Sequence, residues 1–329
     1  MLPHGDVTRK RIIGGHFSKS IKFSGNSGDT VQISVSDTGE PVVWKSAYGN
    51  RAQRLQAQAL KQVHCAEICA DIYARSFLIP NIRTQTWKNR GKEDAEFHIS
   101  MDYIPYDDVQ TLVKFSDKDT LNWFIAEVLS LVNDFEVKKC KQVSMESVYP
   151  KFESKSISIL DAIRSNGSFK PKVMKVAERA LATVLELGKN NMTVLIPEGF
   201  CHGDLTFSNI LVDGKSRRIA AFDFLDSFVE SPLQDIAKIR QDTSYYWVCE
   251  SDNTMAKTSS HVWNRLYITL SAFDEIVMQY IAKQPWSSVY PMFEICTLCR
   301  ILPYCKSDSK LEWCLRSITK AVDFWTQGQ

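Results

Sequence analysis

The sequence predicts an α+β protein in which a small antiparallel sheet carrying one helix precedes a longer, mainly helical part. Three observations point there. Stretches of alternating polar and apolar residues are concentrated in the first hundred positions, and a single amphipathic stretch interrupts them. Beyond Tyr103-Ile104-Pro105, apolar residues recur instead at three- and four-residue spacing.

Residues 30–36 alternate, Asp37-Thr38-Gly39 supplies a turn, and 41–45 form a second extended run, so the two predict a hairpin. From about Arg51 to Ala74, the positions Leu55, Ala59, Val63, Ala66, Ala70 and Tyr73 predict an amphipathic helix. Two strands follow, near 83–87 and 95–101, separated by the charged turn 88–93. Helices are predicted around 117–138 and 171–187, with Gly188 as a stop, and near 232–241, 260–283, 288–302 and 309–326. One β segment around 210–222 interrupts them. There is no internal repeat or low-complexity linker, and the change of pattern divides the chain into residues 1–103 and 104–329.

With 40 Lys and Arg against 38 Asp and Glu among 329 residues, the formal charge is +2, which gives no general attraction to nucleic acid or anionic membrane. No run approaches the roughly 18 apolar residues of a spanning helix, and Met1–Asp6 lacks the apolar core of a signal peptide, so a cytoplasmic protein is expected. The nine cysteines are an odd number without framework spacing, which fits reduced thiols. Cys296-Thr-Leu-Cys299 has no second pair to complete a zinc site and predicts core packing.

The chemistry is concentrated in Cys201-His202-Gly203-Asp204-Leu205-Thr206-Phe207-Ser208-Asn209 and the following Ile210–Phe224. Asp213-Gly214 marks a turn, and a hairpin centred near Ser216 would pair Val212 with Ala220 and Ile210 with Phe222, leaving Asn209 opposite Asp223. An amide oxygen and a carboxylate are hard ligands of the kind Mg²⁺ takes beside waters and phosphate oxygens. Asp204, shortly before Asn209, would face the same spot without being a ligand. A metal to neutralise charge and a carboxylate to orient and deprotonate a hydroxyl are what phosphoryl transfer needs.

At these residues the sequence resembles the protein-kinase-like superfamily, and His202-Gly203-Asp204-Leu205 with Asn209 and Asp223-Phe224 is similar to its aminoglycoside/choline phosphotransferase branch. Asp235-Ile236-Ala237 matches the branch's helix aspartate that braces the catalytic loop. The resemblance implies a two-lobed kinase-like fold, with the N-terminal part binding ATP and the C-terminal part the acceptor. It makes Asp204 the catalytic base, Asn209 and Asp223 the Mg²⁺ ligands, and His202 and Asp235 supports of the loop. Ser24-Gly25-Asn26-Ser27-Gly28 would be the phosphate loop, with Gly25, Ser27 and Gly28 approaching the phosphates, though it lacks a full Gly-x-Gly-x-x-Gly. Lys45 resembles the lysine that grips the α- and β-phosphates, and Glu67, with Asp71 left open beside it, the carboxylate that holds that lysine. Asp102, Tyr103 and Ile104 resemble the hinge that receives the adenine. The metal motif reads Asp-Phe-Leu, which argues against a flipping regulatory switch.

Three classes of function remain: small-molecule kinase, protein kinase and non-catalytic nucleotide-binding module. Asp223 and Asp235 are too close in sequence for the activation segment of a protein kinase, and Lys45, Asp204, Asn209 and Asp223 are all retained, so the first is expected. The acceptor would be a small hydroxylated molecule. Asp226 and Glu230 suit a cationic aminoglycoside, whereas Trp247, with Tyr245, Tyr246 and Trp263, suits a choline-like quaternary ammonium. A saccharide hydroxyl fits equally.

Overall fold

A computed structural model of the chain describes residues 21–24, 29–36, 38–68, 76–91, 94–166, 171–250 and 260–327. The elements begin with β1 (Ile21–Ser24), β2 (Thr30–Val35), β3 (Pro41–Tyr48), α1 (Asn50–Ile68), β4 (Phe77–Leu78), β5 (Ile82–Lys88), β6 (Glu96–Asp102) and β7 (Asp107–Asp108). Then come α2 (Val109–Phe115), α3 (Lys118–Lys139), β8 (Cys140–Ser144), α4 (Met145–Ser165), α5 (Pro171–Asn190), β9 (Leu195–Gly199), β10 (Ile210–Asp213) and β11 (Arg218–Ala221). The chain finishes with α6 (Pro232–Thr243), α7 (Trp247–Glu250), α8 (Ser260–Ala282), α9 (Tyr290–Cys299) and α10 (Asp308–Gln327).

Two compact units result: the described residues up to Leu112 together with Ser208–Asp226, and Val113–Phe207 together with those from Ser227 onward. In the first, β1-β2-β3-β6-β5 form one sheet whose pairs are all antiparallel. A four-stranded sheet, β4-β11-β10-β7, completes the unit. Along β3, Val43, Lys45 and Ala47 share a face because side chains alternate along a strand. Val43 and Ala47 pack with Ala52, Leu55 and Ala59 of α1 and with Phe97, Ile99 and Met101 of β6. Each large apolar side chain so buried contributes about 1.5–3 kcal/mol. The strand runs on past Lys45 to Tyr48, so the lysine lies within it and not at its end.

The second unit is helical apart from the β8–β9 ladder. All ten residues of α9 are buried, against α5, α6 and α10. Cys296 and Cys299 lie there, and burial pushes the Cys296 thiol up to about 11, so both behave as core hydrophobes. The sequence reading missed α4, which contains Pro150. It also mistook Gly188 for a stop: α5 continues to Asn190, and a Cβ at Gly188 would come within 2.6 Å of the Tyr149 ring and 2.8 Å of Met292. The glycine permits close approach of neighbouring helices. Among the described residues, no helix is long and apolar enough to cross a membrane.

Candidate active site

In the first unit, β10 and β11 form the expected hairpin, but one residue out of the expected register. Val212 pairs with Ile219 and Ile210 with Ala221. Asp213 explains the shift, because its carboxylate accepts from the Lys215 N–H at 3.0 Å, the Ser216 N–H at 3.2 Å and the Ser216 hydroxyl at 2.5 Å. This builds a four-residue turn that ends with Arg217 at φ 52°. Asn209 O therefore accepts from Phe222 N at 3.2 Å, and Asp223 is the next residue outward. Asp223 has φ 63°, in the left-handed region that aspartate tolerates better than most residues.

Lys45 is 5% exposed, and its Nζ lies 3.0 Å from Asp223 Oδ1 and 3.6 Å from Asp29 Oδ2. Carboxylates of this kind permit a lysine on the covered face of a sheet, since an unpaired buried ammonium is costly. Asp29 was not anticipated from sequence; only the pairing of β2 with β3 brings it near. Glu67 is exposed and is not among the ion-pair partners of Lys45. The buried face of α1 carries Ala52, Leu55, Ala59, Gln62 and Cys65, and Glu67 lies about 200° round the helix from Cys65. Asp71, Gly25, Ser27 and Gly28 lie outside the described residues. Phe224 is fully buried, and Leu225 O accepts from Lys61 Nζ at 2.8 Å, so the Asp-Phe-Leu segment is held from both sides of its backbone.

At the end of β6, Asp102 Oδ1 accepts from Arg83 Nε at 2.6 Å and Oδ2 from Asn81 Nδ2 at 2.8 Å. Burial raises the Asp102 carboxyl, but the bonds from Arg83 and Asn81 outweigh it and hold it below the usual range. Its own N–H donates to Asn81 O at 3.1 Å. Tyr103 and Ile104 follow, half-buried, outside the strand.

In the second unit, α6 is started by Ser231, whose hydroxyl accepts from Leu233 N, and by Pro232 in the first turn. One face of this helix carries Asp235, Lys238 and Asp242, at i, i+3 and i+7. Asp235, fully buried, accepts from His202 N and Gly203 N, each at 2.7 Å. Gly203 has φ 82°, a backbone conformation natural to glycine, between these two donors. Lys238 Nζ lies 3.0 Å from Asp204 Oδ1. Asp242 accepts from Phe207 N at 2.6 Å and Val248 N at 2.9 Å. Buried His202 accepts the Asp204 N–H on Nδ1 at 3.2 Å. Lys238 and Asp242 are also absent from the sequence reading, although their spacing places them on the same helix face as Asp235.

Within this loop, His202, Leu205, Thr206 and Phe207 are at most 3% exposed, whereas the Asp204 side chain is 31% exposed. Burial pushes the Asp204 carboxyl up, but Lys238, then His202 and Arg300, outweigh it and hold it below the ordinary carboxylate range. The loop thus presents one ionised carboxylate from an otherwise covered backbone.

The acceptor-side candidates are dispersed. Asp226 is exposed at the edge of the first unit. In the second, Glu230 accepts from Ser227 N at 2.6 Å and from the Cys201 thiol at 3.2 Å, so both oxygens have partners within the protein. Trp247 packs against Trp313 with the rings tilted by 56° and centroids 4.8 Å apart, and Lys310 Nζ lies 4.5 Å from its ring centroid. Tyr245 donates its hydroxyl to Glu294, and Tyr246 shares a hydrogen bond with Ser271. Trp263 packs beside Tyr267.

The profile of the phosphotransferase enzyme family matches residues 25–268. No curated protein matches the chain in sequence. Among solved structures, an amicoumacin kinase in complex with AMP-PNP, Ca²⁺ and Ami is similar at a TM-score of 0.54 and 13% identity, over 95% of this chain and 93% of its own. A Plasmodium vivax ethanolamine kinase is similar at 0.50 and 12%, over 94% of this chain and 84% of its own. The ADP-bound aminoglycoside phosphotransferase APH(2'')-Ib is similar at 0.50 and 13%, over 92% and 94%. The fold is protein-kinase-like. The chain belongs to the phosphotransferase enzyme family, as an ATP-dependent small-molecule kinase with an alcohol group as acceptor.

Proposed function

We propose that this kinase transfers the γ-phosphate of ATP to a hydroxyl of a small polar molecule, an aminoglycoside, a saccharide or a choline-like amino alcohol, with Asp204 as base and Mg²⁺ as the metal. The observation that supports it best is the single ionised carboxylate, Asp204, exposed on a loop whose remaining backbone is buried and bonded to α6. That carboxylate would orient the acceptor hydroxyl and take its proton as the oxygen attacks phosphorus.

Asn209 and Asp223 would hold the metal. Their donors are hard oxygens, and two protein oxygens completed by water and phosphate oxygens suit Mg²⁺, which seldom sits in an all-protein cage. Among the described residues, no group of three or more His, Cys, Asp or Glu forms such a cage. When bound, the ion would neutralise charge on the phosphates. Lys45, beside Asp223, would bind the α- and β-phosphate oxygens, with Gly25, Ser27 and Gly28 supplying backbone donors and Asp102, Tyr103 and Ile104 the adenine hinge. Asp29 replaces Glu67 in this reading as the carboxylate that holds Lys45.

On the acceptor side Asp226 is the candidate we retain for a cationic group, since Glu230 is occupied in its own loop and Trp247 already has Lys310 over its ring. The deciding experiment is an ATP-consumption screen of sugars, aminoglycosides and amino alcohols, with protein mixtures in parallel. Turnover with one small hydroxylated class is expected, and Asp204→Asn should lower it at least about 100-fold while nucleotide binding persists. Labelling of proteins in trans with no small acceptor would overturn the reading.

A further inference from the structure

Lys238 is the one residue of α6 that is not fully buried. The side chain it reaches, Asp204, is likewise the exposed member of a buried loop. Two opposite charges therefore come to the surface of the second unit together, each rising from covered surroundings. The lysine side chain is only 13% exposed, and its Nζ donates to Gln241 Oε1 at 3.2 Å as well as meeting Asp204 Oδ1 at 3.0 Å. Gln241 is itself 2% exposed. A surface lysine left to solvent would spread over many rotamers; this one is tied at its end by a buried amide one helical turn away.

We propose that Lys238 is a positioning residue for phosphoryl transfer, its ammonium fixing the orientation of the Asp204 carboxylate that receives the acceptor's proton. The inference rests on the role given to Asp204 above. In the step, the acceptor O–H bond breaks, its proton passes to Asp204, the new O–P bond forms, and the bond from γ-phosphorus to the bridging oxygen breaks to leave ADP. Lys238 neither gains nor loses a proton. It holds one carboxylate oxygen in place, so the carboxylate does not have to be reoriented by the arriving hydroxyl.

The groups that bear on the Asp204 carboxyl come from three places: Lys238 and Asp242 on α6, His202 in the loop, and Arg300 after α9. Lys238, His202 and Arg300 favour the ionised form, while burial opposes it; Asp242 is itself raised by the Asp204 charge. Removing the lysine therefore shifts the carboxyl upward, and the acidic limb of the rate profile should follow. A lysine that merely stabilised the fold would lower the melting temperature and leave that limb unchanged.

The test compares wild type, Lys238→Met and Lys238→Arg by ¹³C-carboxyl NMR of labelled aspartate, with Asp204→Asn to identify the signal, and by kcat–pH profiles with the acceptor found in the screen. Lys238→Met should raise the Asp204 carboxyl by about one pH unit and move the acidic limb with it. It should lower kcat about 10- to 100-fold while KM for ATP stays within about twofold. Lys238→Arg should recover most of kcat, and if Lys238→Met does not fold, Gln241→Leu, which releases the ammonium, should reproduce part of the shift. An active wild type with an unshifted titration and unshifted limb in folded variants overturns the proposal alone. A wild type that phosphorylates nothing in the screen overturns the functional reading on which it rests.

Discussion

Lys45 and Asp223 meet across 178 positions of sequence, ammonium to carboxylate at 3.0 Å, with the Asp29 carboxylate 3.6 Å from the same nitrogen. One cation thus meets two acids on the covered side of a sheet, and the second of them, Asp29, lies immediately before the neighbouring strand β2 rather than on the helix.

Replacing Lys45 by Met removes the ammonium that pairs with both acids. The expected cost is about 1.5–3 kcal/mol, since two carboxylates lose a bond from a charged donor. Denaturant titration reads it. Lys45→Arg, which keeps the charge, should recover part of the loss, and an equal deficit in both variants would contradict the electrostatic account.

Asp235→Asn should uncouple stability from nucleotide binding. An amide supplies one acceptor where the carboxylate supplied two, so either His202 N–H or Gly203 N–H loses its partner in a buried place. A loss of about 1.5–3 kcal/mol is expected for a bond to a charged acceptor. Turnover should fall while ATP affinity measured by titration is retained.

Burial pushes the Asp242 carboxyl up to about 7, against the pull of the Phe207 and Val248 N–H groups and Lys238. Its folded value lies above the unfolded one, so the protonated form is favoured by folding. The contribution is fully present below about pH 4 and is lost as pH rises through about 7, with a limiting slope of about 1.4 kcal/mol per pH unit between those values. Stability of wild type relative to Asp242→Asn should decline across that window; a flat difference would show that Asp242 is ionised throughout.

Gly188→Ala should cost about 1–3 kcal/mol by overpacking, since the added methyl meets the Tyr149 ring and Met292 below contact distance. The melting temperature should drop with kcat at 25 °C unchanged, because no residue of the proposed chemistry touches that seam.

Legibility in the sequence followed the range of the interactions involved. The antiparallel sheet, α1 and the hairpin after Asn209 were readable because alternation and turn residues are local signals. The hairpin register was missed by one residue because Asp213 spends its carboxylate on three turn donors, which closes the turn one residue tighter than a hairpin centred near Ser216. α4 was not read from the sequence; it holds Pro150 inside it, past the first turn, where a proline supplies no N–H to the helix. The segment that holds Asp204, Asn209 and Asp223 stood out because its motif is contained in one short stretch. Asp29, Lys238 and Asp242 did not, because each makes its contact only with a partner brought to it by the fold, and Glu67 lies off the buried face of α1 because helix phase rather than chain distance decides which way it faces.

The strip of Asp235, Lys238 and Asp242 makes loop and helix one mechanical part. A shift of α6 by a single turn, about 5.4 Å, would break its contacts to His202, Gly203, Asp204 and Phe207 together. A disturbance of α6 therefore reaches all four loop residues at once and not contact by contact. The same tie leaves residues away from that face of α6 at liberty to vary without loosening the loop.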